Sequence, residues 1–372
     1  MLEVQKYLIS GKTLDDLTDD LAIKACHHPD LPLVILNYNQ IESSPKTHPI
    51  VRECRALTLD TRDWSIVARS MERFFNWGEV ADEMPDFDFS DFIIQSKEDG
   101  SLVLVYHFDG EWHINTRGSF AKDTMQFQDF TWTEGILRAL NVDKLSSLEN
   151  HLDKNVTYIC EFCSTWNKIV RTYSDPIVYL LTAFEGKREL TWDELDAIQN
   201  GIMSAPDIIS FKSIEEIQEF IKEQEENDPT FEGVVIRDRA GRRWKVKSAT
   251  YLGLHRLRGE GDNVWNPKHL IPFILTGEDD ELLTYFPEVR GTFYEYKCCV
   301  LNAYADLVEL WGDNWSIEDQ KEFALAIKDE SPFAGILFNI RKIHGEHQKS
   351  KHLKEAWRES PDAIFKTLFK KK

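Results

Sequence analysis

The spacing of apolar residues changes once along this chain, near Leu252, and that change dictates the architecture. Up to Ser248 the chain offers short β-rich runs: Leu33–Tyr38, Arg55–Leu59, Trp64–Ala68, Phe92–Ser96, Ser101–Phe108, Glu111–Arg117, Val156–Phe162, Ile177–Phe184, Gly233–Arg237 and Arg243–Val246. Such runs, bounded by turn residues, read as strands. Asp109-Gly110 is a hairpin turn, because both residue types tolerate positive φ, and Ala240-Gly241 joins the last two strands. Helices are inserted among them. Ser213–Glu226 opens with a capping box from Ser213 to Glu216, and the first 30 residues read as helical from Leu14, Leu17, Leu21 and Ile23. Beyond Leu252 no strand alternation remains. Ser316, Ser331-Pro332 and Ser360-Pro361 read as helix starts, and Phe293–Leu310 suits a long helix. The expectation is an α+β, antiparallel-sheet domain over 1–253 followed by an all-α domain over 254–372, joined near Gly259 to Asp262 and Asn266-Pro267. The 372 residues suffice for both.

Charge narrows the function. With 44 basic and 64 acidic residues the net charge is −20, which argues against non-specific coating of nucleic acid. Positive charge is instead local. Residues 237–247 carry six basic side chains and one acidic, and residues 341–372 carry ten basic and four acidic. These are candidate phosphate contacts, or else solvated basic faces. No apolar run is long enough to span a membrane, and the acidic N-terminal segment is unlike a secretion signal. Six scattered cysteines form no disulfide framework. The expected setting is the cytoplasm.

Four short motifs carry possible chemistry. In Lys97-Glu98-Asp99-Gly100 a strand delivers a lysine to a tight turn, where Gly100 lets backbone approach a ligand. Lysine is a nucleophile only when neutral, so nearby cations such as Lys245 and Lys247, on one face of a strand, would have to lower its pKa. An exposed loop is the plain alternative. Glu232 precedes an apolar strand and is a candidate ligand to a hard metal or its water, or simply a solvated carboxylate. Glu161 lies inside an apolar strand and needs a partner, which a ribose hydroxyl or an arginine would supply. Arg55 is placed to clamp a phosphate or to form a salt bridge.

Taken in order, ECR (53–55), MERFFN (71–76), KEDGS (97–101), TRGS (116–119), EF (161–162), EGVVI (232–236) and WKVKS (244–248) resemble the covalent nucleotidyltransferase superfamily of ATP-dependent nucleic-acid ligases and capping enzymes. Within it the chain is most similar to the subfamily of the tRNA-repair RNA ligase of T-even bacteriophages, the first of their two RNA ligases. The motifs cover residues 35–250; the remainder agrees in length and helical character. The resemblance implies an antiparallel-sheet nucleotidyltransferase (ATP-grasp-like ligase) domain followed by a helical RNA-substrate domain. It implies ATP and Mg²⁺ or Mn²⁺ as cofactors. The partner would be RNA with 5′-phosphate and 3′-hydroxyl ends, such as a nicked tRNA. A monomer and, for a phage-encoded protein, the host cytoplasm follow.

By that resemblance Lys97 is the nucleophile that takes AMP, Glu161 holds the ribose and Glu232 the hydrated metal. Lys245 and Lys247 contact phosphates and Arg55 the outer ones. Tyr38, Phe75, Glu98 and Gly100 surround the nucleotide. Arg73 and Arg117 stand where the relatives have lysine, which keeps the charge but changes its geometry. Cys160-x-x-Cys163 lacks two further ligands for zinc and reads as core thiols; His27-His28 and His344-x-x-His347 are set aside as well. Trp311 and Trp315 are packing residues or RNA contacts. DNA ligases and GTP-using capping enzymes usually add an OB-fold where this chain has helices. A non-catalytic nucleotide- or RNA-binding module would be expected to have lost one of the motif residues.

Overall fold

Antiparallel sheets form the framework of the first part of the chain. The computed structural model describes residues 1–40, 42–80, 87–125, 128–198, 201–259, 264–277, 282–283, 286–328, 330–344 and 350–369. It divides into two units, Met1–Leu252 and Gly253–Lys372.

In the first unit β1 (Ile23–His27), β2 (Leu33–Tyr38), β3 (Leu57–Asp60) and β4 (Ile66–Ala68) make one sheet in sequential order. The reading of the first 30 residues as helix needs correction at β1. The helix Leu14–Leu21 ends where Ala22 turns left-handed (φ +53°), and Ile23 is the first core residue of a strand. One apolar residue at the end of a helical stripe cannot reveal that the period has changed.

A second sheet has the order β12-β6-β13-β14-β5, from β5 (Phe75–Asn76), β6 (Phe92–Ser96), β12 (Ile208–Ile209), β13 (Gly233–Asp238) and β14 (Arg243–Lys247). It is antiparallel except that β5 runs parallel to β14. A third sheet has the order β11-β10-β9-β7-β8, from β7 (Ser101–Phe108), β8 (Glu111–Thr116), β9 (Val156–Cys163), β10 (Ile177–Glu185) and β11 (Arg188–Glu189). Asp109 (φ +51°) and Gly110 (φ +86°) make the turn between β7 and β8, as the pair predicts.

Strand alternation gives the third sheet two buried faces. Val103 and Val105 pack with Ile136 and Leu137 of the helix Trp132–Ala139. Leu102, Leu104 and Tyr106 pack with Ala56, Ala68 and Met71 around the first sheet. A buried polar link ties the two sheets: Tyr106 donates to Asn115 (3.1 Å), and Asn115 donates to Thr58 (2.8 Å). The second sheet is covered by the helix Ile214–Asn227, whose Ile217 and Ile221 meet Val234, Ile236, Trp244 and Val246.

The second unit is helical among its described residues, with Pro267–Thr276, Arg290–Asn314, Gln320–Ile327, Ala334–His344, Ser350–Arg358 and Pro361–Leu368. Leu270, Phe286, Phe293, Val300, Leu307, Phe323, Leu337 and Ile364 form its buried residues. The α+β and all-α readings of the two parts therefore hold. Three helix starts differ from expectation. Ser331-Pro332 lies just ahead of Ala334–His344, so Pro332 is not its first helical residue, and the Ser331 hydroxyl accepts from the Phe333 amide at 3.1 Å. Asp319, not Ser316, caps Gln320–Ile327, accepting from the amides of Lys321 and Glu322; a carboxylate accepts two donors where a hydroxyl serves one. Ser360 does precede the last helix, but its hydroxyl donates back to Ala356 O instead of capping. Gly261 and Asp262 at the expected join, His347, and Lys370–Lys372 of the basic tail lie outside the described residues. Among the described residues no helix is long and apolar enough to cross a membrane.

Candidate active site

Lys97 follows β6, and its amide donates to Gly233 O of β13 at 2.9 Å, so one backbone bond fixes the lysine beside Glu232. The Lys97 amine stands 2.7 Å from Glu232 Oε1, and the Lys247 amine, arriving from β14, stands 2.9 Å from the same oxygen. Glu232 is only 3% exposed. Burial pushes its carboxyl up, but the two ammonium groups outweigh that and hold it below its usual range.

The same balance acts on Lys97 in reverse. Burial pulls its amine down; Glu232 and Glu161 raise it further, and the net shift is upward. The expected depression of the Lys97 pKa is thus absent in the ligand-free site. It falls instead on Lys245, lowered to about 7 by burial and by Arg55, Lys97 and Lys247. Glu161, on β9 opposite Leu102, is raised to about 7, by burial first, against the pull of Lys97 and Arg55.

Arg55 follows the short helix Pro49–Glu53, and its guanidinium lies 5.4 Å from the ring of Phe74, which also carries the Lys245 amine at 4.6 Å. Tyr38, at the end of β2, is held between Arg73 (4.2 Å) and Arg117 (4.6 Å). Lys97, Glu161, Glu232, Lys245, Lys247, Arg55, Tyr38, Arg73 and Arg117 are therefore linked by contact or charge within one unit.

Three expected residues sit differently. Phe75 is 3% exposed and packs in the core of the second sheet with Ile94 and Trp244, while its ring also lies 5.8 Å from the Arg73 guanidinium. It is Phe74 whose ring meets Arg55 and Lys245, because neighbours along an extended chain face opposite ways. The Glu98 carboxylate accepts from Ser96 Oγ (2.6 Å) and Tyr173 OH (2.9 Å), which leaves its backbone as what it offers a ligand. Gly100 is needed for packing: a Cβ there would overlap Phe162 O and come within 2.7 Å of Cys163 Sγ.

The support behind the lysine is assembled from distant parts of the chain. Asp99 accepts from the amides of Val170 (2.8 Å) and Arg171 (2.7 Å) and from Tyr251 OH (2.7 Å), and its own amide donates to Tyr173 OH (2.9 Å). These partners lie 71 or more positions away and are invisible to spacing. The basic run 237–247 also divides. Arg237 and Arg243 both pair with Glu189, Arg242 pairs with Asp238, and Arg239 pairs with Asp91. Only Lys245 and Lys247 of that run are among the residues just linked. Cys160 and Cys163 are buried free thiols, as read.

Residues 53–251 match the family model described as RNA ligase. The chain belongs to this RNA ligase family. A protein of Autographa californica nuclear polyhedrosis virus, named as a bifunctional polynucleotide kinase/RNA ligase, is 30% identical over 80% of this chain and 43% of its own length. The chain thus spans less than half of that relative. The RNA ligase of Rhodothermus phage RM378 is 23% identical over 66% of this chain and 68% of its own. A solved archaeal ATP-dependent RNA ligase aligns over 91% of this chain and 82% of its own at 13% identity, with a TM-score of 0.47. The superfamily expected from the motif succession is the one the family match gives.

Proposed function

We propose that this chain is an ATP-dependent RNA ligase working through Lys97. The observation that carries the reading is the Lys97 amine held against the buried Glu232 carboxylate, with Lys247 on the same oxygen. In the proposed first step the Lys97 nitrogen attacks the α-phosphorus of ATP. A P–N bond forms, the bond to the β-phosphate oxygen breaks, and pyrophosphate leaves. AMP then passes to an RNA 5′-phosphate, and the 3′-hydroxyl of the other end displaces it.

Charge placement supports these roles. Lys97 holds its proton beside Glu232, and that proton must pass to Glu232 or to water before the nitrogen attacks. Lys245, Lys247 and Arg55 offer positive charge to phosphate oxygens. Lys245 in particular gains from a nearby anion, which favours the charged form that burial and the neighbouring cations disfavour. In this reading Glu161 takes a ribose hydroxyl, and Tyr38 with Arg73 and Arg117 takes the nucleoside and outer phosphates. A divalent cation would be held at Glu232 through water and would neutralise phosphate charge. The donor set fits a hydrated ion, since the described residues hold no cluster of three metal-ligating side chains and Mg²⁺ normally keeps several waters.

In this reading the helical unit Gly253–Lys372 engages the RNA, a nicked tRNA being the substrate of choice, and the protein acts as a monomer. The test is intact mass after pyrophosphate treatment and then incubation with ATP or GTP and Mg²⁺. A gain of one AMP from ATP alone, absent in Lys97→Ala, is expected. A gain of GMP would replace the reading with capping chemistry, and no gain in folded protein would replace it with a binding module.

A further inference from the structure

The β13–β14 turn holds a buried cation that the ligase reading does not use. Arg237 lies directly opposite Arg243 across the two strands, on the face that carries Lys245 and Lys247. Arg243 binds Glu189 through both Nη1 and Nη2, and Thr182 OH donates to the same carboxylate at 2.6 Å. That carboxylate is already neutralised, yet Arg237 is packed against it too, at 3.2 Å. Arg237 is 3% exposed, and its Nη2 donates to Leu190 O at 2.8 Å. Its Nε and Nη1 are buried with no acceptor. Two unpartnered donors on a buried guanidinium are costly to the fold, and an anionic acceptor brought to them would relieve that cost.

Those donors belong to a side chain lining a cavity of about 220 Å³. Trp192 stands in it with the guanidinium carbons of Arg237 and Arg239 at 5.6 and 5.5 Å from its ring. The cavity adjoins a larger recess of about 590 Å³ that shares Glu189, Ala240 and Gly241 and includes Arg73, Lys187 and Arg242. A cationic path thus leads from Arg73, beside Tyr38, to Trp192.

We propose that the Trp192–Arg237–Arg239 cavity is a subsite for one nucleotide of a single-stranded RNA. Its base lies against Trp192 and its phosphodiester against Arg237 and Arg239, where it competes with Asp91 for the Arg239 guanidinium; the inference rests on the ligase reading above. An aromatic ring flanked by guanidinium groups is the chemistry that holds unpaired nucleotides. ATP held at Lys97 does not reach it. Arg243 is four residues along β14 from Lys247, roughly 13 Å at the rise of an antiparallel strand, and the Trp192 cavity lies beyond Arg243. Two phosphoanhydride links span less than that, whereas an RNA strand with its end at Lys97 covers it.

The experiment compares wild type, Trp192→Ala and Arg239→Ala. Both sites lie outside the core, so the variants keep the fold where changes at Arg237 would break the Glu189 cluster. Two readouts are taken: AMP uptake from ATP by intact mass, and binding of a 5′-phosphorylated oligoadenylate by fluorescence anisotropy over a salt series. Unchanged AMP uptake is expected in both variants. Trp192→Ala weakens oligonucleotide binding about tenfold or more, and Arg239→Ala flattens the slope of log affinity against log salt by about 0.7. Unaltered RNA binding in both variants, with AMP uptake intact, overturns the subsite. A raised KM for ATP with RNA binding unaltered also overturns it, assigning the cavity to ATP phosphates. Trp192-dependent RNA binding by a wild type that takes up no AMP leaves the subsite standing and removes the ligase reading.

Discussion

Lys97 and Lys245 are chemically identical side chains whose proton affinities the fold shifts in opposite directions. Glu232 and Glu161 raise the first, while burial, Arg55 and the other lysines lower the second to about 7. Lys97→Arg is expected to abolish AMP uptake, since guanidinium stays protonated and cannot attack phosphorus; normal mass gain in that variant would remove Lys97 as the nucleophile. Lys245→Met tests the other half through stability. The unfolded chain keeps the Lys245 proton up to about 10.5 and the folded chain only to about 7. The fold therefore gains stability as pH rises between those values. Lys245→Met is expected to be more stable than wild type at pH 6, by on the order of 5 kcal/mol. The gap should close as pH climbs from 7 towards 10.5. Denaturant melts at pH 6, 8 and 9.5 measure it, and a gap that widens with pH would refute the assignment.

At the scale of elements, the site depends on how closely β13 approaches its neighbours. Gly233 has φ +126°, and a Cβ there would overlap Val246 O and come within 2.8 Å of Lys247 Cα. Gly233→Ala is expected to cost about 3 kcal/mol or more, combining backbone strain with steric overlap. Because Gly233 O also holds the Lys97 amide, AMP uptake should fall with stability. A melting temperature within two degrees of wild type would contradict the geometry. Tyr251→Phe removes one donor from buried Asp99, which keeps its amide partners. A loss of about 1–3 kcal/mol is expected, readable as a lower denaturation midpoint. These elements also show what sequence can and cannot reveal. Ten of the fourteen described strands were legible because alternation and turn residues are local; β1 was read as helix, and the two-residue β5, β11 and β12 carry no alternation to read. Lys97, Glu232, Lys245 and Lys247 were legible as motif residues flanking apolar strands. Phe74, whose ring meets Arg55 and Lys245, was missed because a two-residue strand has no periodicity to orient it. The Asp99–Tyr251 and Arg243–Glu189 contacts were missed because they join positions 152 and 54 residues apart. The arginines at 237–243 looked like free charge only because Glu189, Asp238 and Asp91 could not be placed beside them.

Across the whole molecule, charge and chemistry are divided between the two units. Every residue drawn to the candidate site lies between Tyr38 and Tyr251, and the family match ends at residue 251, inside the first unit. The helical unit contributes none of them, so its contribution, in the proposed reading, is to the RNA. The division is testable by truncation. The helix Ala249–Arg258 crosses the unit boundary and carries Tyr251, so the cut belongs after Arg258, where that helix is kept whole. Residues 1–258 are expected to accept AMP from ATP at a rate within a few-fold of the full chain. They should seal RNA ends at least tenfold more slowly, with the loss appearing as weaker RNA binding. If the truncated chain folds, as judged by circular dichroism, and still joins RNA at the full rate, the helical unit has no part in substrate recognition. If it folds but accepts no AMP, the helical unit is needed for the nucleotide step, and the division of labour proposed for the two units fails at its first half.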